Sequence, residues 1–279
     1  MYRWWHYSQN PQEKQHHFWN RGRQQTLKPI KYPNGDKYAG EIQNGTRHGR
    51  GTYVYKSGSK YQGYWKEGRK HGKGIFYYAN GDIYKGTWQN DEKHGKGAYL
   101  FKNRSGYDGE WRNGFPHGSG ACRFACGDAY DGDWENGLQH GKGLYLYSNG
   151  NKYDGDWKHG NQEGVGTYLY VHGDRYYGNW QNNLRHGRGS LTYSIGGGYE
   201  GEWVEDKRHG KGNYKHVNGE SYYGDWKNNK RHGKGTFHYA SGESYEGQWE
   251  NDQRHGKGNY VFKDNRLEAR EYENDVRKK

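Results

Sequence analysis

Along most of the chain the apolar residues recur two positions apart, with glycines at fixed places among them. In Tyr61-Gln-Gly-Tyr-Trp65, alternation puts Tyr61, Gly63 and Trp65 on one face of an extended strand. In the following stretch Gly72, Gly74, Phe76 and Tyr78 share a face in the same way. Each predicted strand thus sets aromatic rings beside bare glycines. A ring from a neighbouring strand fits over a glycine because no Cβ holds it off, which explains a residue that otherwise weakens strands. Asn44-Gly45, Asn113-Gly114, Asn136-Gly137 and the variant Asn182-Asn183 fall between the strands of one unit. Asn80-Gly81, Asn149-Gly150 and Asn218-Gly219 fall between units. Such pairs tolerate the positive φ of tight hairpins.

The pattern is periodic. Tyr recurs every 23 residues from Tyr38 to Tyr245, Gly follows two residues later from Gly40 to Gly247, and Trp two further on. The tryptophans are Trp65, Trp88, Trp111, Trp134, Trp157, Trp180, Trp203, Trp226 and Trp249, with Ile42 in the first copy. His-Gly-x-Gly follows in each copy, from His48 to His255, except that the sixth carries Glu163 in place of His. Ten copies run without insertion or deletion. They predict an all-β fold: an elongated, single-layer, twisted antiparallel meander of about twenty strands. At roughly 4.8 Å per strand it would extend about 95 Å.

Tyr-x-Gly-x-Trp followed by His-Gly-x-Gly resembles the MORN (membrane occupation and recognition nexus) repeat, and the resemblance covers about residues 32–264. Residues 1–31 read as a separate aromatic and basic arm, either a disordered tail or a docking arm presenting Trp4, Trp5, Phe18 and Trp19. Residues 265–279 read as a charged cap, a short helix covering the last unpaired strand.

Composition sharpens this reading. Leu, Ile, Val and Phe number 28 of 279 residues, so a large aliphatic enzyme core is excluded. With a net charge of +12 that scarcity would suit a disordered chain, but 12 Trp and 30 Tyr do not. Each aromatic can bury roughly 150–250 Å², so the rings must form the core. No run of 18 apolar residues is present, and the N-terminus lacks the apolar stretch of a secretory signal. Cys122 and Cys126 sit in one short segment, which suits two free thiols in a reducing compartment.

Charge is uneven along the chain. Residues 1–106 carry 20 basic and 7 acidic groups, residues 107–175 carry 6 and 10, and residues 176–279 carry 18 and 15. Basic residues gather at the His-Gly motif, and Lys70, Lys73, Lys93 and Lys96 form a candidate patch for an anionic partner. Pro116, Ser119, Gln162 and Val165 take such places in the middle copies. His and the basic residue after it alternate onto the face opposite Trp, together with Asp131, Asp133, Asp154 and Asp156, which suggests cross-strand acid–base pairing there.

The motif histidines of successive copies would stand two strands apart, roughly 10 Å, too far to share a metal ion. No metal, cofactor or catalytic site is therefore expected, and no phosphate-cradling loop or activated nucleophile stands out. Basic residues interleaved with Tyr and Trp could stack on single-stranded nucleic acid. The aromatics, however, stand where the sheet needs them, and the acidic middle third would interrupt a phosphate track.

The resemblance implies a non-catalytic module. MORN arrays occur in radial-spoke-head proteins of motile cilia, in protist cytoskeletal scaffolds, in junctophilins, and attached to separate catalytic domains. Ten copies fill nearly all of these 279 residues, which favours the structural classes. The expectation is a cytoplasmic, cytoskeletal protein of the ciliary or flagellar axoneme, similar to the radial-spoke-head MORN proteins. It would bind other spoke proteins through a groove lined by the nine tryptophans and join a second copy through its edges or tail. The rival expectation is a membrane-associated tether or cytoskeletal scaffold that holds anionic phospholipid through the basic N-terminal third.

Overall fold

The computed structural model describes residues 28–279. Among them the regular structure is all strand: 23 antiparallel strands in one sheet, each hydrogen-bonded to its neighbours in sequence. Each repeat contributes one strand of 7 residues and one of 9, as in Lys152–Lys158 and Asn161–Leu169. Glycine faces glycine in the middle of each ladder, Gly155 pairing with Gly166 in its own hairpin and with Gly143 in the preceding one.

The core is one layer of rings on one face. Tyr38, Tyr61, Tyr84, Tyr130, Tyr153, Tyr176, Tyr199, Tyr222 and Tyr245 are fully buried, although among the described residues no second sheet covers them. Each lies flat across the glycine pair of its own hairpin. Tyr61 covers Gly63 and Gly74, and its hydroxyl donates to the Tyr64 carbonyl at 3.0 Å. It also meets Trp65 and Trp88 edge-on, with centroids 5.0 and 5.4 Å away. Desolvation in this layer pushes the Tyr38 hydroxyl up to about 12 and raises the others in the same direction.

The two turn classes differ. Within a repeat both central residues take positive φ, as in Asn44 (49°) and Gly45 (72°), the geometry that matches strand twist. Between repeats mostly a single residue does so, Gly81 at 96° or Arg104 in its place at 69°, so the asparagine before Gly81 serves otherwise. The Asn80 side chain receives the Asp82 N–H at 3.0 Å and donates to the Asp82 carboxylate. That carboxylate then takes the Lys102 N–H at 3.0 Å and the Tyr99 hydroxyl at 2.8 Å from the next turn. Asp36 repeats the arrangement with Tyr53 and Lys56.

These turn aspartates link stability to pH. The Lys102 N–H and the Tyr99 hydroxyl hold Asp82 below the ordinary carboxylate range; the Tyr53 hydroxyl and the Lys56 N–H do the same for Asp36. A depressed carboxylate contributes stability above its unfolded value of about 3.9 and loses it as pH falls through the lower folded value. Asp82→Ala should therefore lower the urea midpoint at pH 7, and the gap to wild type should close below about pH 4. A gap independent of pH would show that the carboxylate charge plays no part.

The sheet exceeds the expected bounds at both ends. Ile30–Lys31 already pairs with Lys37–Tyr38, so the sheet starts just inside the predicted arm. Trp4, Trp5, Phe18 and Trp19 lie outside the described residues. At the other end the predicted helix is instead a hairpin: Leu267–Glu273 pairs with Gln253–Val261, and Val276–Arg277 turns back on it. The cause is a degenerate eleventh unit. Tyr272 stands 23 residues after Trp249 and is 3% exposed, with Arg254 over its ring at 4.4 Å. Asn274 and Asp275 form the turn at positive φ. Arg270 takes the glycine position, which hides the repeat in the sequence.

Candidate partner-binding face

The aromatic face has a floor and a ridge. The floor is the fully buried tyrosines and the nine tryptophans, whose exposure is only 3–6%. Eight of the indole N–H groups donate to a glycine carbonyl of the preceding repeat, as Trp157 does to Gly143 at 3.0 Å. The predicted groove tryptophans thus do structural work and leave almost no surface to a ligand.

The ridge stands above them. Tyr55, Tyr78, Phe124, Tyr147, Tyr170, Tyr193 and Tyr239 recur at 23-residue spacing, each partly exposed and packed on the core. They zigzag with the rings between them, Tyr78 lying 5.5 Å from Tyr99 and Tyr99 4.6 Å from Phe101. Of this row only Tyr78 stands among the face residues read from the sequence, although the same period that revealed the tryptophans marks every member. Pattern shows that a position recurs; it does not show which ring of a strand lies deepest.

Beside the ridge, cations stack on the tryptophan faces. Arg47 lies 4.3 Å from the Trp65 centroid, Lys70 4.9 Å from Trp88, Lys93 4.1 Å from Trp111, Arg208 4.3 Å from Trp226 and Arg231 4.2 Å from Trp249. Burial against these rings pushes the Lys93 ammonium down to about 8. Pro116, Gln139 and Gln162 interrupt the row in the middle repeats. Gln162 is 4% exposed and donates to the Tyr147 hydroxyl at 2.8 Å. Next to it lies a hollow of about 330 Å³ lined by Tyr147, Tyr168, Tyr170, Trp180, Arg185 and Asp206.

The four-lysine patch does not exist as one surface. Lys70 and Lys93 lie half-buried on the aromatic face, whereas Lys73 and Lys96 are exposed on the other. Alternation separates them, because one precedes the motif histidine and the other follows two residues after it.

On that second face the carboxylates have an unexpected duty. A bulge in each hairpin, at the positive-φ glycine of the His-Gly motif, leaves a backbone N–H without a ladder partner. Asp156 accepts that N–H from Val165 at 2.8 Å, and Asp133 accepts it from Lys142 at 3.1 Å. Acid–base pairing is present as well, as between Lys211 and Asp225 at 2.6 Å. Of the two thiols, neither forms a disulfide, and burial raises Cys122 to about 11, well above reactive thiols.

The MORN repeat profile matches ten segments in succession from residue 38 to residue 265. The chain belongs to the MORN-repeat family. A MORN array is a repeat scaffold, generally non-catalytic, that binds partners, and here the ten repeats form the meander just described. No curated protein matches the chain. Among solved structures it is similar to the TCP10 domain of Danio rerio CPAP in complex with a peptide of Danio rerio STIL, at 8% identity and TM-score 0.42 over 88% of this chain and 98% of that one. It is also similar to the Drosophila melanogaster SAS-4 (dCPAP) TCP domain in complex with a proline-rich motif of Ana2 (dSTIL), at 15% identity and TM-score 0.37 over 55% and 83%. Likenesses at that level do not bear on what this MORN sheet binds.

Proposed function

We propose that this protein is a structural scaffold of the ciliary axoneme, of the radial-spoke-head kind, and that it holds an extended segment of another axonemal protein along its aromatic face. The observation that carries the binding mode is the ridge of partly exposed rings above a buried floor. Rings spaced along a continuous sheet suit a long, extended occupant. The hollow at Tyr147, Tyr170 and Trp180 would take one large side chain of that segment. The axonemal placement rests on the family resemblance and on the uninterrupted array.

The test is fractionation of a tagged chain from motile cilia, first with detergent and then with high salt. Retention in the axoneme through both steps, lost in a folded Tyr78→Ser/Tyr239→Ser variant, is the expected result. Release by detergent would favour the membrane tether instead. Retention unaffected by the two substitutions would remove the ridge from the binding mode.

A further inference from the structure

The MORN motif histidines lie on the face opposite the tryptophans, each beside the turn of the next repeat. That neighbourhood is built by the backbone: the turn N–H of one repeat donates to a strand of the repeat before, as Gly160 donates to Gln139 at 2.9 Å. The side chain at the motif position reaches the turn, as Glu163 shows by accepting the Asn182 N–H at 3.0 Å. The residue at the turn position therefore decides what the motif residue meets. Elsewhere it is mostly asparagine, as in Asn113, Asn136, Asn182, Asn228 and Asn251, all at φ near 50°.

One repeat departs from this. His159 occupies the turn position at φ 49° and brings its ring to 5.2 Å from that of His140. Glu135, across the hairpin, places its carboxylate 3.2 Å from His140 Nδ1. That approach lacks hydrogen-bond alignment, so Nδ1 is buried without a hydrogen bond. One ligand atom from each of the three residues lies within 4.8 Å of the others, and among the described residues no second such trio occurs. Orphaned Nδ1 atoms recur at His71, His117, His209 and His255, so the orphan is a property of the repeat; the second imidazole is what is unique. Glu250 and His255 also approach, at 3.7 Å, but through Nε2 rather than Nδ1, and their turn carries Asn274.

We propose that Glu135, His140 and His159 bind one divalent transition-metal ion, with zinc as the best fit. Two imidazoles and one carboxylate match its preference, and ligands at about 2.0–2.1 Å in tetrahedral geometry stand roughly 3.4 Å apart. The Glu135–His140 distance already meets this, and the exposed His159 side chain closes the set by rotation. The fourth position faces solvent and takes water. The acidic excess of residues 107–175 favours a cation there. Bound metal would staple the turn of one repeat to the strand of the repeat before it. The motif histidines among themselves stand too far apart to share an ion, whereas His159 lies outside their ladder.

The test titrates cobalt(II), by its visible absorption, and then zinc, by calorimetry, into the chelator-treated full chain carrying no histidine tag. One saturable equivalent is expected, together with a higher melting temperature in zinc. His159→Asn restores the residue that neighbouring turns carry and should fold normally while losing both the equivalent and the zinc-dependent shift. Glu135→Gln should weaken binding by about tenfold or more. Absence of a saturable equivalent in wild type, or its persistence in His159→Asn, would overturn the proposal.

Discussion

Gly166→Ala is expected to destabilise the protein by about 3 kcal/mol or more, at the upper end of what overpacking costs. A Cβ at this position would stand 2.5 Å from Cε2 and the hydroxyl oxygen of Tyr153 and 2.6 Å from its Cζ. The ring has nowhere to go. It is fully buried, its hydroxyl is bonded to the Asp156 carbonyl at 2.9 Å, and Trp157 and Trp180 meet it edge-on at 5.2 and 5.3 Å. Moving it would break the floor in two adjacent repeats. The control is Gly45→Ala, where nothing lies within 4 Å but φ is +72°, so only backbone strain of about 1 kcal/mol is felt. Urea titration of both variants compares them directly. If Gly166→Ala costs no more than Gly45→Ala, the ring-over-glycine interlock is not what holds the sheet together.

Trp157→Ala should cost about 3–5 kcal/mol, the usual range for deleting a buried large aromatic. The indole is 5% exposed, touches Tyr153 and Tyr130 edge-on at 5.2 and 5.3 Å, and packs at 5.7 Å on Tyr145. Its loss also leaves the Gly143 carbonyl without the N–H that reaches it at 3.0 Å. Because each repeat contacts only its neighbours, the position of a defect matters as well as its size. Removal of Trp157 near the middle should divide the array, so that amides on both sides exchange faster. Removal of Trp249 should loosen the C-terminal end and leave the N-terminal repeats protected. Hydrogen exchange resolved by peptide would show the difference. Uniform acceleration along the chain in both variants would mean a single cooperative unit.

These outcomes bear on function because floor and ridge have separate duties. Loss of Trp157 or of the Gly166 cradle should remove binding by loosening the sheet. Loss of Tyr78 and Tyr239 should remove it while the fold persists. The second face is independent of both: His159→Asn should abolish metal capture without touching the ridge.

Much of this was legible from spacing alone. Alternation, the 23-residue period and turn residues at fixed offsets gave the all-β meander and the rings set beside bare glycines, because each signal is local and repeats ten times. The hairpin of Leu267–Glu273 and Val276–Arg277 was not legible, because Arg270 replaces the marking glycine and charged residues there suggested a helix. What remains of the period there, Tyr272 and the Asn274-Asp275 turn, is too little to mark the unit without its glycine, and the sheet edge recruits the segment through backbone hydrogen bonds.

The sequence by itself determined which residues share a face, since that follows from a period of two and needs no partner. Depth and neighbourhood were left to the tertiary structure. Trp157 and Tyr147 recur with the same period, yet one lies within the core and the other packs partly exposed against it, because the local path of the sheet fixes how far each ring is covered. Glu135, His140 and His159 look unrelated and meet, because a turn of one repeat is hydrogen-bonded onto the strand before it. Contacts between repeats depend on twist and register, which single positions do not encode.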